Sequence, residues 1–123
     1  MHAVAEMIGF SEDAEAAGMS AQELAILINR LAADPQAGEL IVGTGGARKV
    51  RVAGRGKGKS GGFRVISYYA GDDLPVFLIT VFSKGKRADL ASGERAKIKK
   101  ELADLASDYR KGVREWAKLL RRS

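Results

Sequence analysis

The segment Val76–Ser83, VFLITVFS, is apolar at nearly every position. A strand without a polar face belongs inside a sheet that is covered on both sides, or beneath a helix. That requirement sets the architecture, because the chain must then supply neighbouring strands and helical cover. A second β-prone segment, FRVISYYA (Phe63–Ala70), precedes it, and the intervening GDDLP has the glycine, aspartate and proline of a hairpin connection. Upstream, Val50 and Val52 alternate with Lys49 and Arg51, which predicts a third strand with valines inward and cations outward. The three segments together predict an antiparallel meander. Within the second strand, alternation puts Phe63, Val65, Ser67 and Tyr69 on one face and Arg64, Ile66 and Tyr68 on the other.

Helical cover is written into both ends of the chain. Ser20 with Glu23 forms a capping-box pattern ahead of Leu24, Leu27, Ile28 and Leu31, which share one helical face, and Pro35 forbids continuation. This predicts a helix from Ser20 to about Ala33. An acidic segment beginning at Ser11 fits a two-turn helix stopped by Gly18, and residues 3–8 fit a short first strand. At the other end Ile98, Leu102, Leu105, Tyr109, Val113, Trp116 and Leu120 recur at steps of three and four, marking one long amphipathic helix with a basic outer face. Its start has Glu94 but Ala91–Ser92 before it, a weakened capping box. Tyr109 and Trp116 follow the stripe and read as core or interface residues. The fold class is therefore α+β, with N-terminal helices, an antiparallel sheet meander and a long C-terminal helix. At 123 residues the chain holds one domain with a modest core, and a basic helical extension occupies about residues 106–123.

Charge is distributed unevenly along this frame. Residues 1–47 carry one base against seven acids, residues 48–64 carry seven bases and no acid, and residues 65–123 carry 13 bases against eight acids. One face should be basic and suited to a polyanion. The centre of positive charge is Gly43–Arg64, GTGGARKVRVAGRGKGKSGGFR, where Arg48, Lys49, Arg51, Arg55, Lys57, Lys59 and Arg64 are interleaved with glycine. A backbone that permissive moulds itself to a ligand. A second basic turn, SKGKRAD, follows the third strand. With no cysteine and no basic-then-apolar leader, the expectation is a cytoplasmic protein. No apolar run approaches the roughly 20 residues of a membrane span, so no membrane partner is expected.

Other chemistries are poorly supplied. Gly58-Lys59-Ser60 resembles the end of a Walker A loop, but Ala53 stands where its first glycine belongs and the loop leads into a strand, not a helix. The lone His2 lies at a frayed terminus, and Glu12, Asp13 and Glu15 read as a solvated helix face. No metal site and no cofactor are expected. Arg64 is the leading candidate for chemistry on anions: its planar fork binds two phosphate oxygens, and a strand holds it more rigidly than the neighbouring loop would.

Four elements, GTGG-x-RK, the GKGKSGG loop, GG-x-RVI-x-YY and the VF-x-K strand end, occur in this order and spacing. Together they resemble the RelE/HigB branch of the bacterial RelE/ParE toxin superfamily, over roughly Phe10 to Leu105. The resemblance implies a metal-independent endoribonuclease that cuts mRNA in the ribosomal A site, by attack of a ribose 2′-oxygen on the adjacent phosphate. It also implies a cognate antitoxin and a toxin–antitoxin hetero-oligomer. In that framework Arg64, Lys84 and Lys86 are the expected catalytic residues. Lys84 or Lys86 would act as a base only if neighbouring positive charge lowered its pKa. Arg48, Lys49, Arg51, Arg55, Lys57, Lys59 and Arg87 are expected on the RNA backbone, with Tyr68 as a stacking residue. Ser67 stands where relatives commonly have a first tyrosine. Two other readings use the same cations: a non-catalytic RNA- or DNA-binding module, and a ParE-like gyrase inhibitor, against which the glycine–lysine loop and Arg64 weigh.

Overall fold

The computed structural model of the chain describes residues 1–54, 62–85 and 89–122. In chain order the elements are β1 (Val4–Glu6), α1 (Phe10–Ala17), α2 (Ala21–Ala33), β2 (Glu39–Leu40), β3 (Ala47–Val52), β4 (Phe63–Tyr68), β5 (Val76–Ser83) and α3 (Ser92–Arg122). The strands form one sheet in the order β1-β5-β4-β3-β2. The meander expected from the sequence is present, since β3 pairs with β4 and β4 with β5, both antiparallel. The sheet as a whole is mixed, because β1 adds to the far side of β5 in parallel, with Val4 opposite Val76. Between β1 and β5 the chain passes through both N-terminal helices and the other three strands, and a connection of that length permits parallel pairing.

Apolar β5 has the double cover its sequence demands. On one face Val76, Leu78 and Val81 join Val50, Val52, Phe63 and Val65 beneath Phe10 and Ala14 of α1 and Leu27 and Leu31 of α2. On the other, Phe82 joins Ala47 and Ile66 beneath Ile98 and Leu102 of α3, and Phe77 packs with Leu74 and Ala106. Each fully buried Leu or Phe contributes about 1.5–3 kcal/mol through removal from water.

Local chemistry explains the helix ends. Ser20 and Glu23 form both halves of the capping box at α2. At α3 only half survives: the Ala91 amide donates to Glu94 Oε1 at 3.0 Å, and alanine has no hydroxyl to return the bond. Gly18 closes α1 in the left-handed region at φ 81, its amide reaching Ala14 and Glu15 carbonyls. Two expectations are corrected here. The N-terminus is tied down, with the His2 amide donating to Ala32 O at 2.8 Å and its ring lying edge-on to Tyr69. Asp13 is no solvated bystander, since it accepts a 2.6 Å bond from the Thr80 hydroxyl and pins α1 to β5.

The GTGG turn joins β2 to β3 around a fully buried Thr44, whose hydroxyl donates to Ile41 O at 2.7 Å and accepts from the Ala47 amide at 3.0 Å. Thr44→Val keeps the shape but strands a buried carbonyl and amide. It should lower stability by about 1–3 kcal/mol in urea denaturation.

Beyond the sheet, α3 continues into solvent. Tyr109, Val113, Trp116, Leu119 and Leu120 are exposed along it. Arg110 anchors the start of this overhang by a two-pronged pair with Asp73, at 2.7 and 3.0 Å. Among the described residues no helix is long and apolar enough to cross a membrane.

Candidate functional site

The ends of β3 and β5 and the start of β4 enclose a groove of about 460 Å³, lined by Arg51, Val52, Ala53, Gly54, Gly62, Arg64 and Lys84. Its ionisable lining among the described residues is entirely cationic. Arg64 forms the floor. It projects from β4 on the α3 face, away from Phe63 and Val65, as alternation required, and is only 6% exposed. Its Nη1 donates to Phe63 O at 3.3 Å.

Arg51 and Arg64 are direct partners across β3 and β4, so both side chains leave the same face of the sheet. Lys84 supplies the third cation from the turn after β5, and its amide donates to Gly62 O at 3.0 Å. Gly62 itself has φ 60, and a Cβ there would lie 2.1 Å from Val52 O and 2.5 Å from the Gly54 amide nitrogen. The missing side chain is what allows β4 to start this close to the end of β3, bringing Arg64 opposite Arg51.

A second cluster ties Asp89 to the sheet and to α3. Asp89 Oδ2 lies 3.2 Å from Lys49 Nζ and 3.2 Å from Arg95 Nη2, while Oδ1 accepts from the Leu90 amide at 2.8 Å. Arg95 also reaches Val42 O at 3.4 Å. The Leu90 amide, aided by Lys49 and Arg95 and opposed by partial burial, holds the Asp89 carboxyl below the usual carboxylate range. A depressed folded-state pKa stabilises the fold fully above the ordinary carboxylate value of about 3.9, and the contribution is lost as pH falls through the folded value. Because the pair is partly exposed, solvent screens it. Asp89→Asn should therefore cost under about 1 kcal/mol at pH 7, and the gap from wild type should close on acidification, as followed by urea melts at a series of pH values.

The residues proposed from sequence are not all gathered in the groove. Arg51, Arg64 and Lys84 are. Lys49 shares their face but is neutralised by Asp89, so it acts first as a strut between β3 and Asp89. Arg48 projects from the opposite face, opposite Ser67, and reaches Gly38 O at 3.4 Å. Tyr68 shares the Arg64 face, yet it lies four residues along β4, about 13 Å away, stacked with Phe77 at 6.5 Å beneath α3. Its ring is used for packing. Ser67 is buried on the face away from the groove. Arg55, Lys57, Lys59, Lys86 and Arg87 lie outside the described residues.

Sequence reasoning missed Asp89 and Gly62. Asp89 could have been noticed as an acid standing directly after the basic turn. Gly62 was hidden among many glycines, and only the contact with Val52 O singles it out. The groove thus gathers three cations at one end of a sheet flanked by helices. A family model described as the RelE toxin of the RelE/RelB toxin–antitoxin system matches residues 8–119, so the match continues along most of α3 beyond the motifs. With nearly the whole chain matched, the protein belongs to the RelE toxin family, toxins of toxin–antitoxin systems that are generally mRNA-cleaving.

Proposed function

We propose that this chain is a ribosome-dependent mRNA endoribonuclease that inhibits translation, works without a metal, and is neutralised by a cognate antitoxin covering the basic groove. The observation that carries the reading is the direct opposition of Arg51 and Arg64 on one face, with Lys84 beside them. A message phosphate in the groove meets all three of these cations. When the ribose 2′-oxygen attacks, a 2′-O–P bond forms and the P–O5′ bond breaks, leaving a cyclic phosphate and a free 5′-hydroxyl. The 2′-proton departs and O5′ gains one. Charge accumulates on the phosphoryl oxygens between these events, and preorganised cations stabilise it more than they stabilise the starting diester.

Arg64 has the leading part, since a nearly buried guanidinium acts through less water than an exposed one. Arg51 and Lys84 assist from the walls, and Lys86, two positions further along the chain, is assigned to the same chemistry by the sequence pattern. Arg48, Arg55, Lys57, Lys59 and Arg87 serve docking on RNA backbone, which makes binding weaken steeply with salt. Lys49 contributes mainly through its hold on Asp89.

The test is a reconstituted translation reaction in which message 5′ ends are mapped with and without the protein, beside the same message free of ribosomes. Cuts confined to ribosome-bound message are expected. Intact message with normal translation overturns the proposal, and salt-sensitive RNA binding without cutting would replace it with a non-catalytic role.

A further inference from the structure

The overhanging part of α3 has an apolar stripe, Tyr109, Val113 and Trp116, with Val113 54% and Trp116 63% exposed. The helix is continuous from Ser92 to Arg122, so it cannot fold back on its own domain. Trp116 lies about 16 Å further along the axis than Leu105, at about 1.5 Å per residue. This distal segment is also strongly basic: residues 110–122 carry six bases and one acid.

The body of the same chain has a surface of the complementary kind. Between the end of β1, the stretch of β5 just beyond it and the near half of α3 lies a groove of about 390 Å³. Its apolar lining is Met7, Ile8, Ile79, Leu102 and Leu105, and its charged lining is wholly acidic, with Glu101, Asp104 and Asp108. Ile8 is fully exposed there. This groove is separate from the cationic one and shares no residue with it.

We infer that a second copy of this chain occupies the acidic groove with the basic, apolar end of its α3, each copy doing so to the other. The two α3 helices then run antiparallel about a twofold axis, so that each acidic rim meets the partner's basic segment; a parallel pair would set acid on acid and base on base. Isologous pairing of this kind uses both patches twice and leaves neither exposed. Trp116 is the anchor, as a large aromatic entering an apolar recess with charges around it.

Trp116 is the sole tryptophan of the chain, so its emission reports the proposed burial directly. Full-length protein is examined by sedimentation and fluorescence from about 1 to 100 μM, bracketing a dissociation constant on the order of 10 μM. Doubling of mass together with a blue shift of the emission is expected. Trp116→Ser, at an exposed position that folding does not need, should weaken association by about tenfold or more. Asp104→Lys should do likewise, and mixing it with Arg114→Glu/Lys118→Glu should restore pairing between the two variants. A monomer with unshifted emission throughout overturns the inference, as does a dimer indifferent to Trp116→Ser. Emission that shifts only when a cognate antitoxin is added would assign the stripe to that partner and equally overturn it.

Discussion

Arg64→Ala is expected to reduce message cleavage by about 10²–10³-fold, the usual cost of deleting one preorganised charge-stabilising group. Arg64→Lys keeps the charge but not the planar fork and should lose about 10- to 100-fold, since a point charge cannot reproduce two parallel bonds to phosphate. The accompanying stability change separates chemistry from damage. Arg51 and Arg64 stand opposite one another across the ladder, and replacing a nearly buried charge by an apolar side chain of similar volume is often neutral or stabilising. Arg64→Leu fills much of the same space and should unfold within about 1 kcal/mol of wild type, or above it, while being inactive. Thermal melts and end-mapping on the same preparations read both quantities. Cleavage by Arg64→Ala within tenfold of wild type would remove Arg64 from the chemistry and return the site to docking alone.

Gly62→Ala should be the most damaging single-methyl change at the site. Two costs combine there. A non-glycine residue in the left-handed region costs roughly 1–2 kcal/mol. The new Cβ would also stand 2.1 Å from Val52 O, a backbone atom that cannot rotate away. Together these should destabilise the fold by more than about 3 kcal/mol, a large share of the 5–15 kcal/mol typical of a domain. Gly9→Ala provides the control, because Gly9 has φ 93 but nothing within 4 Å of an added Cβ, so only the conformational cost of about 1 kcal/mol applies. In surviving molecules the β3 end must move from β4, separating Arg51 from Arg64 and slackening Lys84 through the Gly62 carbonyl. Misplacement on the order of 1 Å costs about 100-fold in rate. Equilibrium urea denaturation of the two variants decides the matter: equal losses would show that the junction yields to a methyl group.

The acid-sensitive Asp89 cluster links these results. It ties Asp89, which follows β5 in sequence, to β3, on which Arg51 also sits.

By itself the sequence determined whatever rests on neighbours a few residues apart. The alternation of β3 and β4, the apolar run of β5, the Ser20–Glu23 box, the half-box at Glu94 and the long stripe of α3 are all local patterns with periods of two to four. They established the meander, its helical cover and the face from which Arg64 emerges. The tertiary structure alone decided the rest. It placed β1 parallel on β5, buried Thr44 inside the GTGG turn, stacked Tyr68 on Phe77 away from the groove, and drew Lys49 to Asp89, forty positions away. Cross-strand register made Arg51 the partner of Arg64, which no count of cations in the segment could reveal. The physical reason is that periodicity tells which way a side chain points, whereas whom it meets depends on loop closure and strand register, and these are settled by packing the whole core at once.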